Sequence, residues 1–363
     1  MKKLRLEGGK NQGKEQVPTE STPVYIAADI SRSKWVYAVR WGGQERWRLT
    51  SDAELSHLKA LVERYTLIGC PVTLAYEACG FGYEIAWWAE GQPLVRVVVV
   101  APSTVERSPG LQVKTDRVDA RKLAVKLEQG DLKGVHVPRR SQHEHRQYVR
   151  TYEQLLKDRK RLQVRIRSVL QEHGRIGPAP RHGWKKYQRW LDAQELPACV
   201  SECVETLRRS REFVDAQVQQ TKLRILELGK HADYKTVVEA LAEQGGVGPF
   251  SAVCFVLEIG DIRRFRTAGS LPRYLGLTPS EYSSGTLEHR GHILKCGPGK
   301  VRGLLLQCGW VSCRYDPGLK AVFERLAPRV GRKRAVVAVT RRLALRMRAR
   351  WMAALDAQVP EAA

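Results

Sequence analysis

The chain has 363 residues, with 62 Lys and Arg against 38 Asp and Glu for a formal net charge of +24. That length accommodates two domains, each with a core of its own, and so large a positive charge points to polyanionic partners, nucleic acids first. No membrane-spanning helix is expected, because the longest strongly apolar run, VRVVVVAP at 95–102, falls well short of the ~20 residues that cross a bilayer and reads as one buried strand.

The first 22 residues are polar and rich in Gly and Lys, the composition of a disordered tail. They hold no apolar stretch of the kind a signal peptide needs, so a cytosolic location is expected. VYIAADIS (24–31) is an apolar run containing an acid near its end; KWVYAVRW (34–41) alternates; Gly42-Gly43 makes a turn into a third strand, ERWRLT (45–50). SDAELSHLKALVERY then reads as an amphipathic helix, with Ser51 as its cap and Glu54 three residues later. PVTLAYEA (71–78) is a fourth strand, FGYEIAWWAEG a short helix and VRVVVVAP a fifth strand. TDRVDARKLAVKLEQG (115–130) is a helix capped by Thr115. The order β-β-β-α-β-α-β-α predicts an α/β domain over 23–138, a mixed five-stranded sheet flanked by helices. It is not the strict alternation of a dinucleotide-binding fold, and no GxGxxG follows the first strand.

From residue 139 the composition changes. Between Arg139 and Lys186 there are fourteen Lys and Arg against four acids. Tyr148, Leu155, Leu162 and Val169 recur every seven residues with Tyr152 and Ile166 between them, a seam interrupted by Arg159; a second stripe runs through Val200, Val204, Leu207, Val214, Val218, Thr221, Ile225 and Leu228. Two long helices separated by GRIGPAPRHGW (174–184) predict an antiparallel hairpin over 139–232, serving either as packed helices of one chain or as a dimerising coiled coil.

A mainly α-helical segment over 233–355 follows, with 356–363 as a tail. VVEALAEQGGVGPFSAVCFVLEIG resembles a helix-hairpin-helix, whose Gly246 and Gly248 would turn backbone N–H groups toward a phosphate; the plain alternative is a tight helix connection. Residues 321–350 carry ten Lys and Arg and one acid, so RRLALRMRARW would present a basic face opposite leucines. Eight cysteines are scattered without a CxxC, the usage of reduced, mostly buried thiols rather than of a zinc knuckle.

In so basic a chain four acids stand out. Asp29 closes the first strand and Glu77 the fourth, while Asp116 and Asp119 lie three apart on one face of the last helix of the domain. If strands one and four are neighbours, all four carboxylates converge. Such a cluster would repel itself unless it held cations, and oxygen ligands suit Mg²⁺ or Mn²⁺. Paired ions of this kind serve phosphodiester chemistry.

The segments YIAADISRSKW, LAYEACGFGY and KTDRVDARKLA resemble the DEDD motifs of the Piv-invertase-like insertion-sequence transposases, the bridge-RNA-guided serine recombinases. GGVGPFSAVCFVLEIGDIRRFRTAGSLPRYLGLTPSEYSSGTLEHRGHILKCGPGKVRGLLL resembles that family's C-terminal transposase domain through its G-L-x-P, S-G and K-x-G landmarks. CGPGK departs from the small and polar residues usual there.

The resemblance covers roughly 24–350. It implies a RuvC-like domain of the RNase H fold, then a helical linker and a transposase domain. It makes Asp29, Glu77, Asp116 and Asp119 the metal ligands for Mg²⁺. Ser284 becomes the nucleophile, with its neighbour Ser283 as the lesser candidate. It further implies donor and target duplex DNA as substrates and a noncoding bridge RNA as guide. A homo-oligomer, dimer assembling to tetramer, would bring acids and serine into one composite centre on the nucleoid.

The residues themselves suggest that Arg290, Lys295, Lys300 and Arg302 clamp phosphate oxygens, with Lys114 and Arg117 as further nucleic-acid contacts. His289 and His292 read as structural or phosphate-contacting groups. Two alternatives stand beside this reading: a RuvC-like nuclease or junction resolvase that makes no serine adduct, and a non-catalytic RNA- or DNA-binding protein.

Overall fold

The computed structural model describes residues 6–7, 17–78, 80–101, 116–284 and 287–357, with the side chains of 6–7, 116–118 and 281–290 outside that description. The chain divides into two compact units, Met1–Val137 and Pro138–Ala363.

The first unit is built on a sheet of β1 (Leu6–Glu7), β2 (Val24–Ile30), β3 (Lys34–Trp41), β4 (Gln44–Asp52), β5 (Val72–Glu77) and β6 (Val95–Val100), in the order β1-β4-β3-β2-β5-β6. The meander β2-β3-β4 is antiparallel, and β5 and β6 add in parallel on the other side of β2. The five expected strands are therefore present, and a two-residue strand extends the edge. Helices α1 (Leu55–Thr66), α2 (Glu84–Ala89) and α3 (Asp116–Gln129) flank them.

Side-chain alternation sorts the strands between two faces. On one face Ile26, Ala28, Trp35, Tyr37, Leu74 and Tyr76 pack with Leu58 and Val62 of α1 and Ile85 of α2. On the other Ala27, Val36, Ala38, Ala75 and Val100 pack with Ala120, Leu123, Ala124 and Leu127 of α3. A sheet covered on both sides explains why its strands read as almost unbroken apolar runs.

One expected boundary shifts. Ser51 does not cap α1: its backbone pairs with Trp35 in the ladder, its hydroxyl lies 3.3 Å from that of Tyr37, and β4 runs on to Asp52. Ladder pairing outweighs the local capping preference. Thr115, the expected cap of α3, lies outside the described residues.

The second unit starts with α4 (Arg140–Glu172), continues through α5 (Trp184–Asp192) and returns along α6 (Ala198–Leu228). Ile166 and Leu170 meet Val204 at one end of the pair, and Val149 joins Ile225 in the core at the other, so the two helices run antiparallel. Arg159, which interrupts the heptad seam, donates to Asp215 on α6 at 2.7 Å. Next come α7 (Lys235–Ala242), α8 (Pro249–Ile259) and α9 (Ser270–Tyr274). A hairpin of β7 (Pro279–Ser284) and β8 (Leu287–Ile293) follows, then α10 (Gly299–Tyr315), α11 (Pro317–Val330) and α12 (Arg332–Asp356).

The core of this unit gathers α7, α8, α10 and α12 around Phe255, Leu257, Leu305 and Leu343. The segment is mainly α-helical as expected, and the β hairpin is its one strand element among the described residues. Of the cysteines described, Cys70, Cys254 and Cys308 are buried, whereas Cys199, Cys203 and Cys296 are exposed, so burial is less general than composition suggested. Among the described residues no helix is long and apolar enough to cross a membrane.

Candidate functional site

In the first unit β2 and β5 are parallel neighbours, with Ala27 opposite Ala75 and Ala28 opposite Tyr76. One step further on each strand stand Asp29 and Glu77, side by side at the strand ends, both half-buried. By alternation they belong to the face of Ala27 and Ala75, the face that α3 covers.

The direction of α3 follows from one ion pair. Glu128 accepts from Arg40 Nε at 2.8 Å and from the Gly43 N–H at 2.8 Å. Arg40 pairs with Tyr25 at the start of β2, so α3 runs antiparallel to β2 and its first turn lies toward Asp29. From Glu128 back to Asp119 is roughly 14 Å of helix, and from Tyr25 to Asp29 roughly 13 Å of strand, so Asp119 lies toward the Asp29 end of the sheet. Two motif loops lock the strand ends. Fully buried Trp35 takes an edge-on contact from Phe81, ring centroids 4.8 Å apart, and donates to the Ser31 carbonyl at 3.1 Å. Tyr76 donates to the Gly82 carbonyl at 3.0 Å.

Carboxylate oxygens on two adjacent strand ends and a facing helix are the donor type a hard divalent cation takes. Among the described residues, no three Asp, Glu, His or Cys side chains form a group ready to hold a metal. Asp116 begins α3, but its side chain, that of Arg117 and all of Lys114 lie outside the described residues.

In the second unit Ser284 is the last residue of β7. It pairs with Leu287, and Ser283 pairs with Glu288, so two residues separate the paired strands. Arg290 pairs with Glu281 and His289 with Tyr282; the side chains of 281–290 lie outside the description.

The base of the hairpin is closed by Arg302, whose Nη1 donates to the carbonyls of Leu275 at 2.9 Å and Cys296 at 3.0 Å. Gly297, at φ +67°, sits where a Cβ would overlap the Tyr274 carbonyl oxygen, and Pro298 caps α10. The CGPGK segment is thus the seam where the hairpin returns to the helices. Among the cations expected to clamp phosphate, Arg302 is committed to that seam. Lys300 pairs with Glu153 of α4. Lys295 is exposed at φ +53°, and His292 is exposed with its carbonyl taken by Ser280 Oγ at 3.1 Å.

The two glycines between α7 and α8 have different surroundings. Gly246, at φ +92°, lies where a Cβ would come within 2.5 Å of the Ser312 nitrogen on α10, and Ser312 Oγ donates to the Gly245 carbonyl at 2.7 Å. Gly248 is exposed and open at the N-terminus of α8. Asp316 anchors the same turn. It accepts from Gln244 Nε2 at 2.8 Å and the Leu319 N–H at 2.9 Å, and it pairs with Arg346. Burial alone would raise the Asp316 carboxyl, but these hydrogen bonds and the Arg346 charge hold it below the usual range.

The expected basic face of RRLALRMRARW is divided. Arg346 is engaged by Asp316, Arg348 donates to the Phe265 carbonyl at 2.6 Å, and Arg350 donates to Glu243 at 2.9 Å. Arg341 remains exposed.

Comparison with known proteins bears on both units. Residues 26–174 match a family model of DEDD transposases, and residues 238–324 match the model described as the IS116/IS110/IS902 transposase family. The chain is 32% identical over 306 residues to a putative transposase of Sinorhizobium fredii, covering 81% of this chain and 72% of that protein. It is 28% identical over 244 residues to a probable family 20 transposase of Pseudomonas aeruginosa, covering 65% and 70%. It is 27% identical over 293 residues to the transposase for insertion sequence element IS1111A of Coxiella burnetii, covering 75% and 74%.

Proposed function

Since the chain belongs to the IS116/IS110/IS902 family of insertion-sequence transposases, which act on DNA, we propose that it exchanges DNA strands through a covalent phosphoserine at Ser284, with Mg²⁺ at Asp29, Glu77, Asp116 and Asp119 and a noncoding RNA as its guide. The observation that carries the metal half is the neighbouring position of Asp29 and Glu77 on parallel strand ends beneath α3. The serine half is supported by the place of Ser284 at the end of a short ribbon whose base is fixed. RNA guidance rests on the family resemblance, and the charge of +24 is in keeping with two nucleic-acid partners.

When bound, Mg²⁺ supplies charge neutralisation at the phosphate oxygens. The serine does the exchange. Its Oγ loses a proton and forms an O–P bond, and the displaced deoxyribose oxygen leaves as a hydroxyl. Attack by the hydroxyl of a second strand reverses the step and frees the serine. One phosphodiester is replaced by one phosphoserine ester, so resealing needs no nucleotide cofactor. Exposed cations such as Lys295 offer further charge for the strand.

The test is a denaturing gel with the wild-type chain, element-junction DNA, guide RNA and Mg²⁺. A covalent protein–DNA band that Ser284→Ala removes, with DNA and RNA binding retained, supports the proposal. An undiminished band in that variant transfers the role to another nucleophile such as Ser283. Cutting to free ends without a band means water attack by a nuclease. Activities untouched by Asp29→Asn and Asp119→Asn mean that the acidic site is not used.

A further inference from the structure

On the hairpin whose first strand ends at Ser284, the base strands face α12 across a groove of about 460 Å³, the size of a small-ligand cleft, roughly 300–1,000 Å³. Its wall is apolar: Leu277, 2% exposed, and the half-buried Ile293 and Val337. Lys333, Arg334 and Arg341 flank that wall from α12. Positions 333, 334, 337 and 341 fall on one helical face, so the cations bracket Val337.

These three side chains are exposed and, among the described residues, make no hydrogen bond or ion pair with a protein acceptor. Further along the same helix Arg346, Arg348 and Arg350 are all engaged. The fold therefore engages Arg346, Arg348 and Arg350 in one half of α12 and leaves Lys333, Arg334 and Arg341 of the other half at the cleft.

We propose that this groove holds the DNA strand flanking the bond that is cut, its phosphates on Lys333, Arg334 and Arg341 and a sugar or base against Leu277, Ile293 and Val337. This rests on the reading of Ser284 as nucleophile. Three features select that occupant. The cations match a phosphodiester backbone, and the apolar wall suits the ring of a nucleotide rather than a free anion. The groove also lies on the ribbon itself: Pro279 pairs with Ile293 at the base, and Ser284 stands five residues along β7, roughly 17 Å away. A strand seated here runs on toward the serine.

The groove is a positioning site, so its loss changes where and how tightly DNA sits before it changes the chemistry. The test uses the full chain with a single-stranded oligonucleotide of junction sequence, the matching duplex and the guide RNA as separate probes. Two variants are compared, Lys333→Ala/Arg334→Ala/Arg341→Ala and the charge-neutral, groove-filling Ala338→Trp, each checked for an unchanged melting temperature.

The triple variant is expected to bind the single strand at least about tenfold more weakly, and the slope of log affinity against log salt falls by about 2, at ~0.7 per phosphate contact. Ala338→Trp weakens binding with the slope unchanged, and RNA affinity holds in both. DNA affinity and slope equal to wild type in both variants overturns the groove, and a loss confined to RNA assigns it to the guide instead. If wild type forms no serine adduct while the triple variant still loses DNA, the nucleophile reading fails and the groove stands. If wild type forms the adduct and both variants bind and react as it does, the groove alone fails.

Discussion

Arg302 donates to the carbonyl of Leu275, the residue that leads into β7, and the same nitrogen reaches Cys296 after β8. One guanidinium group therefore ties the two ends of the hairpin that carries Ser284. Arg302→Ala leaves two carbonyls without their donor and is expected to cost about 1–3 kcal/mol in urea unfolding. The salt dependence of DNA binding should match wild type. A salt slope lowered by about 0.9 would instead place Arg302 on a phosphate of the duplex.

Gly246 and Gly248 should respond differently to the same change. Gly246→Ala forces a residue with a side chain into a positive φ and drives its Cβ into Ser312, so a loss of about 1–3 kcal/mol is expected. Gly248→Ala meets open space at an extended backbone and loses only the better N-cap of α8, so it should cost at most about 1 kcal/mol. Thermal melts of the two variants against wild type decide this.

Asp316 sets a pH dependence. Its carboxyl is held below the usual range in the folded chain, so its contribution is present above the unfolded value of about 3.9 and is lost as pH falls through the lower folded value. Asp316→Asn keeps the shape but weakens the capping bond and the Arg346 pair. Its stability should track wild type less closely at pH 7 than at pH 3, as read from denaturant midpoints at both.

The acidic pair should be separable from folding. Asp29 and Glu77 stand at strand ends, so Asp29→Asn and Glu77→Gln are expected to leave the melting temperature near wild type. Each should lower Mn²⁺ affinity by at least about 10–100-fold, the loss typical even of a ligand's supporting partner. Electron paramagnetic resonance of free Mn²⁺ measures this, and retained affinity in both variants would remove them from the ligand set.

The strands that carry Asp29 and Glu77 were legible from sequence, because apolar runs and alternation are local signals. The sequence left open whether β5 adds beside β2 or beside β4; the parallel pairing of β2 with β5 is what brings Asp29 beside Glu77. The hairpin was not foreseen, although Gly285 and Thr286 between two polar runs match the two-residue connection that favours one; without a hydrophobic alternation the signal is faint. The roles of the arginines were the least legible part. Arg302, Arg346 and Arg348 look alike in a basic tail, and what separates them from Arg341 is a set of acceptors far away in sequence. Ser51 was misread for the opposite reason, since its local preference for a cap yielded to pairing with Trp35 on the next strand.

The face of the sheet beneath α3 is lined by Ala27, Ala38 and Ala75 and met by Ala120 and Ala124. Methyl groups therefore act as the calliper that sets how near Asp119 comes to the strand ends. Magnesium–oxygen bonds span about 2.0–2.1 Å and calcium–oxygen bonds about 2.3–2.6 Å, a difference smaller than the thickness of one methyl group. If the proposed carboxylates hold a cation, its preference becomes adjustable without touching one of them: exchanging one alanine for valine or glycine would widen or narrow the gap between helix and strand ends.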